Sequence, residues 1–397
     1  MADTARPFIV IYVVWHPQFA MGHDIAKAMF EHFRRESYEK ITGGTGIPVV
    51  YRFVLSNDRG GPLPIDFSTA ETSAVIVLVD KNYTEDEVWL TYLRALADQT
   101  DEAGLGTRLF PVVIEPDLLR DLNLSEQAIR WYQWNGDVQS RTDALIGHLT
   151  FQFCRMLRHY LAHLKKPGKS EKALLRFLKK VDIFLSHSKH DGNKAGELVA
   201  TAIRRKLTLT DGLGSFFDVY DIPPGLRFQK VLLSQVKVSA VIAIHTDSYS
   251  SREWCRREIV EAKRHNRPLV IANCLADKDE RGFPYLGNVP IIRLDNEKSP
   301  RVDIVIRALL DEILRDFLWQ CRVELMRPKK SKLRVTFVPR PPELISLATL
   351  VPDSKGKKSI VVYPDPPLGR EEERLFHAIA PNIQLRSATE WLAGAVR

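Results

Sequence analysis

The chain alternates between two hydrophobic patterns. Continuous apolar runs of strand length, FIVIYVVW (8–15), SAVIVLVD (73–80), VDIFLSH (181–187), SAVIAIHT (239–246) and RPLVIANC (267–274), are interleaved with stretches of helical period. The helical stretches are GHDIAKAMFEHFRRES (22–37), EVWLTYLRALADQ (87–99), NKAGELVATAIRRKL (193–207) and SREWCRREIVEAKRH (251–265). Strands that are apolar on both faces and separated by helices predict parallel sheets covered on both sides. In such sheets the ligand crevice lies at the carboxyl ends of the strands. The loops SHSKHD (186–191), DVYDIPPGLRF (218–228) and TDSYSSREW (246–254) all leave from those ends, so they are expected to converge on one site.

The pattern is also repeated. Ser73 to Tyr83 and Ser239 to Tyr249 span the same ten residues, and a Trp follows each Tyr, Trp89 after six residues and Trp254 after five. Downstream, Arg141 and Asp143 match Arg301 and Asp303 in spacing. Two echoes at nearly one offset imply duplication of a whole domain rather than a solenoid repeat. The expected fold class is α/β: two tandem flavodoxin-like domains with parallel sheets flanked by helices, plus a small C-terminal α/β appendage. The boundaries read as a first domain over 1–165, a basic connector over 166–180, a second domain over 181–325, a basic and Pro-rich linker over 326–358, and a strand-turn-helix-strand unit over 359–397. So small a last unit seldom folds alone, so it is expected to dock on a neighbouring domain or to meet a protein partner or ligand.

Composition narrows the class. At 397 residues, with 45% hydrophobic and 27% charged residues, the chain has material for more than one core and no signature of disorder. Four scattered cysteines, Cys154, Cys255, Cys274 and Cys321, form no C-x-x-C pair, which argues against a zinc site or disulfide framework and fits a reducing cytoplasm. The apolar run at 8–15 is about half the ~20 residues of a membrane span and reads as a buried strand, so no membrane partner is expected. The net charge of +8 comes partly from runs at 165–180 and 327–334 that lack interleaved aromatics, and these read as solvated connectors rather than a nucleic-acid surface. His16, His23, His187 and His190 have no metal-ligand spacing, and no metal is expected.

Candidate chemistry clusters in the second copy. On a helix Trp254 and Glu258 share a face, while Arg256, Arg257, Lys263 and Arg264 can turn to solvent. Taken alone, Glu258 reads as surface charge paired with an Arg. Three features at the same sheet end favour a functional carboxylate: the polar loop Ser186-His187-Ser188, the rigid Pro223-Pro224-Gly225 turn between Asp221 and Arg227, and Tyr249 with its flanking serines. The first copy differs at each point. Leu93 stands four residues past Trp89, WHPQFAMG replaces the first loop, and SNDRGGPLPID replaces the Pro-Pro-Gly turn. Glu85, Asp86 and Glu87 fall at a helix start, where capping explains them. The first copy is expected to be catalytically silent.

VDIFLSHSKHD, FFDVYDIPPG and SYSSREWCRRE, in this order and spacing, resemble the signatures of a TIR (Toll/interleukin-1 receptor) domain over roughly residues 180–320. By internal homology residues 7–160 resemble a divergent second copy. The resemblance implies a flavodoxin-like sandwich and, in the enzymatic branch of the family, cleavage of the nicotinamide-ribose bond of NAD, which is substrate rather than cofactor. It implies Glu258 as the catalytic carboxylate and a substrate site formed by Phe184, Ser186, Ser188, the lid residues Asp218, Asp221, Pro224, Gly225 and Arg227, and Tyr249 and Trp254. It further implies self-association through the TIR domains and a role in bacterial stress or anti-phage defence. The alternative it carries is a non-enzymatic adaptor that acts through TIR–TIR contacts.

Overall fold

The computed structural model describes residues 6–34, 45–53, 62–120, 122, 127–168, 181–189, 191, 194–208, 213–216, 233–279, 282–294, 301–327, 334–354 and 358–394. Two compact units, Met1–Leu175 and Arg176–Arg397, divide the chain.

In the first unit, strands β1 (Ile9–Trp15), β2 (Val49–Arg52), β3 (Thr72–Val79), β4 (Thr107–Val113) and β5 (Ile129–Arg130) pair in parallel in the order β2-β1-β3-β4-β5. Helices α1 (Gly22–Phe33), α2 (Lys81–Glu85), α3 (Glu87–Glu102) and α4 (Val138–Lys165) connect and cover them. Every residue of β1 and β3 is buried, because both faces of the sheet are covered, and this is why neither strand alternates in sequence. On one face Val10, Tyr12 and Val14 pack with Trp89, Leu93 and Leu96 of α3. On the other, Phe153 of α4 meets Phe33 of α1 and Phe110 of β4 at ring-centroid distances of 5.4 and 5.7 Å. Asp86 ends α2 and caps α3 by accepting the Val88 N–H at 2.9 Å, which gives this acidic residue a structural task.

In the second unit, β6 (Val181–His187), β7 (Leu213–Phe216), β8 (Ala240–His245), β9 (Leu269–Asn273) and β10 (Ile291–Arg293) form another all-parallel sheet, in the order β10-β9-β8-β6-β7. Numbered by appearance, both sheets run 2-1-3-4-5, the flavodoxin-like order, whose crevice opens where the chain reverses direction between the first and third strands. In the second unit that point lies between β6 and β8. Helices α5 (Ala195–Thr208), α6 (Glu253–Arg264) and α7 (Val302–Met326) accompany this sheet.

Residues 334–354, which proline and lysine content marks as linker, instead carry strand β11 (Arg334–Phe337) and helix α8 (Leu344–Ser354). With β12 (Ser359–Tyr363), α9 (Arg370–Ile379), β13 (Ile383–Ser387) and α10 (Ala388–Gly394) they complete a three-stranded parallel sheet in the order β11-β12-β13. The composition misleads because β11 is a short edge strand with no fully buried residue, and its prolines sit just past it. One face of β12, Val361 and Tyr363, packs with Leu347 of α8 and Phe376 of α9. The opposite face, Ile360 and Val362, packs on Trp319 and Val323 of α7 and on Trp391 of α10. Helix α7 therefore serves two sheets, lying against β8 and β9 and forming with its last turns the floor of the C-terminal sheet.

The expectation that Lys263 faces solvent is also corrected. Its side chain is buried against the C-terminal segment, where Nζ donates to the Gly287 carbonyl at 2.7 Å and pairs with Glu343 at 2.9 Å. Burial pulls the ammonium below the ordinary lysine value although Glu343 and its hydrogen bond pull the other way. Beside it, Glu312 of α7 pairs with Arg315 and, at 3.2 Å, with Arg340. Arg257 and Arg264 are exposed, as the helical period predicts.

Candidate functional site

Strand β6 ends at the switch point with Phe184 and Ser186 on one face, because side chains two apart in a strand share a side. That face meets α6. Phe184 is fully buried in the apolar cluster of Tyr249, Cys255 and Ile259, so it forms the floor beneath Ser186. Ser186 Oγ lies 2.5 Å from Glu258 Oε2 and 2.6 Å from Tyr249 Oη. A serine has one proton to give and the carboxylate is the stronger acceptor, so the order is fixed: Tyr249 donates to Ser186, and Ser186 donates to Glu258. Glu258 is 7% exposed, which excludes the reading of it as a solvated surface charge. Trp254, one turn earlier on α6, is half-buried at the edge of the same cluster, with the Arg257 guanidinium over its ring at 4.3 Å.

Burial pushes the Tyr249 phenol well above the ordinary tyrosine value, with Cys255 and Glu258 adding to the effect, so it stays a donor. Burial, reinforced by Glu258, also pushes the Cys255 thiol up; it contacts the His187 carbonyl at 3.6 Å and carries no thiolate reactivity. The Cys274 thiol is pushed up to about 12, chiefly by burial. All four cysteines are buried and outside any disulfide among the described residues.

A second set of hydroxyls lies alongside; the sequence pattern singles out its Ser188 and the serines beside Tyr249, but not Thr246 or the Asp191 that joins them. Ser248 Oγ is 2.7 Å from Ser188 Oγ and also bonds Asp191, whose carboxylate takes the Thr246 hydroxyl at 2.9 Å and the Gly196 N–H at 3.2 Å. Past Tyr249, the Ser250 hydroxyl donates to Asp279 at 2.8 Å, and His245 Nε2 lies 2.9 Å from the same oxygen. Asp247 accepts the N–H groups of Ala276 and Asp277 at 2.9 and 3.3 Å. The structure thus brings Phe184, Ser186, Ser188, Tyr249, Trp254 and Glu258 to one sheet end. Asp218, Asp221, Pro224, Gly225 and Arg227 lie outside the described residues. Among the described residues no group of three or more His, Cys, Asp or Glu is arranged to hold a metal, and no helix is long and apolar enough to cross a membrane.

Strand register aligns the two sheets. Ile11 pairs with Ala74 and Ile183 with Ala240, which places Val14 at the position of Ser186, and the repeated spacing places Tyr83 with Tyr249 and Leu93 with Glu258. Where the second unit has a hydroxyl and a carboxylate, the first has two apolar side chains in its core. Tyr83 keeps the phenol of that trio, held protonated by burial, and its buried oxygen has no hydrogen-bond partner among the described residues. Beside it His16, at the Ser188 position, accepts the Gln18 N–H at 3.2 Å and turns its other nitrogen toward Asp86 at 3.5 Å. Tyr83→Phe is therefore expected to leave stability unchanged or raise it by about 1 kcal/mol, whereas Tyr249→Phe, which strips Ser186 of its donor, lowers it by about 1–2 kcal/mol. Urea unfolding midpoints decide this, and equal losses for the two would contradict the unpaired state of Tyr83.

No curated protein matches the chain. Residues 183–306, which span β6 to the start of α7 and include Ser186, Tyr249 and Glu258, match the family model of the TIR domain, and the chain therefore contains a TIR domain over that segment.

Proposed function

We propose that the TIR domain is an NAD glycohydrolase or cyclase with Glu258 as its catalytic carboxylate. A TIR domain supports either enzymatic or adaptor function; the observation that favours the enzyme is the buried Glu258 carboxylate, hydrogen-bonded by Ser186 at the carboxyl end of a parallel sheet. Nicotinamide in NAD is a cationic leaving group and departs neutral with the electrons of the C–N bond, so no general acid is needed. The ribose left behind is oxocarbenium-like, and a carboxylate fixed beside it stabilises that charge in a low-dielectric setting. Water addition at the anomeric carbon, with loss of a proton, gives ADP-ribose; attack by a nucleophile of the same molecule gives a cyclic isomer. Tyr249 and Ser186 hold the carboxylate in place.

The first unit, with Val14 and Leu93 in place of Ser186 and Glu258, favours a scaffold role for that part of the chain. On this reading it is a divergent TIR-like copy that regulates or templates the second, in a defence or stress response in which NAD depletion is the output. The test is nicotinamide release from NAD by the purified full chain across a protein concentration series, with the second product identified. Release that rises faster than protein concentration is the expected result. No release at any concentration counts against the enzyme and leaves the scaffold reading.

A further inference from the structure

The proposed reaction uses the inner hydroxyl relay, and the outer one has no part in it. That outer set joins Ser188 to Asp191 through Ser248. The Ser248 hydroxyl is placed to donate to both and has one proton. That proton is shared, with the carboxylate as the stronger acceptor and the Ser188 oxygen as the second. The two relays run side by side through the same two segments. Ser186 and Ser188 are two residues apart at the end of β6, and Ser248 and Tyr249 are adjacent after β8. Each set is anchored on a carboxylate, one on Glu258 and the other on Asp191.

Resting on the NAD-cleaving reading of this site, we infer that Asp191 is a positioning residue for substrate: it binds the loop after β6 to the loop after β8 and holds Ser248 against the Ser188 oxygen, which fixes where the Ser188 hydroxyl stands. Four contacts carry the inference. Asp191 takes hydroxyls from Thr246 and Ser248 on one loop and the Gly196 N–H at the start of α5, and through Ser248 it reaches Ser188. A neutral Asn of the same shape cannot reproduce this. With its oxygen toward the hydroxyls, its NH2 meets the Gly196 N–H, donor against donor. Flipped, it becomes a donor to Ser248, whose own proton then goes wholly to Ser188. Asp191→Asn thus redistributes the Ser248 proton and loosens the outer set while the inner chain to Glu258 keeps its own donors. The effect belongs in substrate binding rather than in the chemical step.

The experiment measures KM and kcat for NAD in the full chain for wild type, Asp191→Asn, Ser248→Ala and the double variant, with Glu258→Gln as the control for the reaction and thermal melting as the control for folding. Each single variant is expected to raise KM about tenfold with kcat within about threefold, the pattern of lost ground-state binding. Because both act through one chain, the double variant is expected to be no worse than the poorer single, a non-additivity that general loosening of the fold does not produce. If Asp191→Asn fails to fold, Ser248→Ala carries the test. Unchanged KM, or a loss that falls on kcat, overturns the role of Asp191 even when Glu258→Gln is inactive. Undiminished turnover in Glu258→Gln instead overturns the reaction assigned to that residue. If the wild type does not turn over NAD, calorimetric NAD binding replaces kinetics: weaker binding by Asp191→Asn supports the inference, and equal or no binding by the wild type and the variant overturns it.

Discussion

Glu258→Gln is expected to lower the rate of nicotinamide release about 10³-fold with no loss of folding stability, the scale of a fixed charge removed from a developing one in a water-poor site. The substitution changes little except charge. Glutamine has the same length, and its carbonyl oxygen still accepts from Ser186, so the inner relay and the packing of α6 against β6 remain. What disappears is a full negative charge 7% exposed to solvent, beside Tyr249 and Cys255, whose ionisation that charge opposes. Relieving a buried carboxylate of its desolvation offsets whatever its hydrogen bond loses in strength, so the melting temperature should hold. Initial rates alongside thermal unfolding test both halves. A Gln variant that keeps more than about a tenth of wild-type turnover removes the carboxylate from the chemistry, since even one oxyanion-hole donor contributes more than that.

Ending the chain at Arg327 is expected to produce an insoluble or partly unfolded TIR domain rather than a trimmed one. The deletion strips the cover from Trp319 and Val323, both buried under β12 in the intact chain. It also leaves the buried Lys263 ammonium without Glu343 and the Glu312 carboxylate without Arg340. Exposing one such Trp is comparable with the ~3–5 kcal/mol lost in a Trp-to-Ala core substitution. Breaking a buried ion pair by removing one partner costs about 3–5 kcal/mol when both are fully desolvated, and less here because Glu343 keeps part of its surface in water. Together these approach the ~5–15 kcal/mol that holds a typical domain folded. Soluble yield and hydrogen exchange in α6 and α7 are the measurements; a truncated chain that is monomeric, cooperative and as protected as the full one would contradict the dependence.

What the sequence made legible follows from what local pattern records. The central strands are buried on both faces, and their continuous apolar runs gave the sheet and its repeat directly. The Trp254–Glu258 spacing was enough to aim Glu258 at the cluster beneath Ser186, because a helix fixes which residues share a face. Lys263 was misread because helical period separates inner from outer faces only when nothing covers the outer one, and Glu343 arrives from 80 residues away. Asp191 was overlooked because an Asp before a helix reads as a cap, and its bond to Gly196 is of that kind; its hold on Thr246 and Ser248 crosses more than fifty residues and leaves no local trace. The strand at 334–337 escaped because half-buried edge residues beside Pro-Pro look like connector.

Helix α7 is 25 residues long, about 37 Å at 1.5 Å per residue, and it is one rod under two sheets. Its last turns are held by Trp319 and Val323 beneath the C-terminal sheet, and the same helix lies against β8, the strand whose following loop carries Tyr249. The C-terminal sheet and the strand that presents the Tyr249 loop thus share one stiff backing.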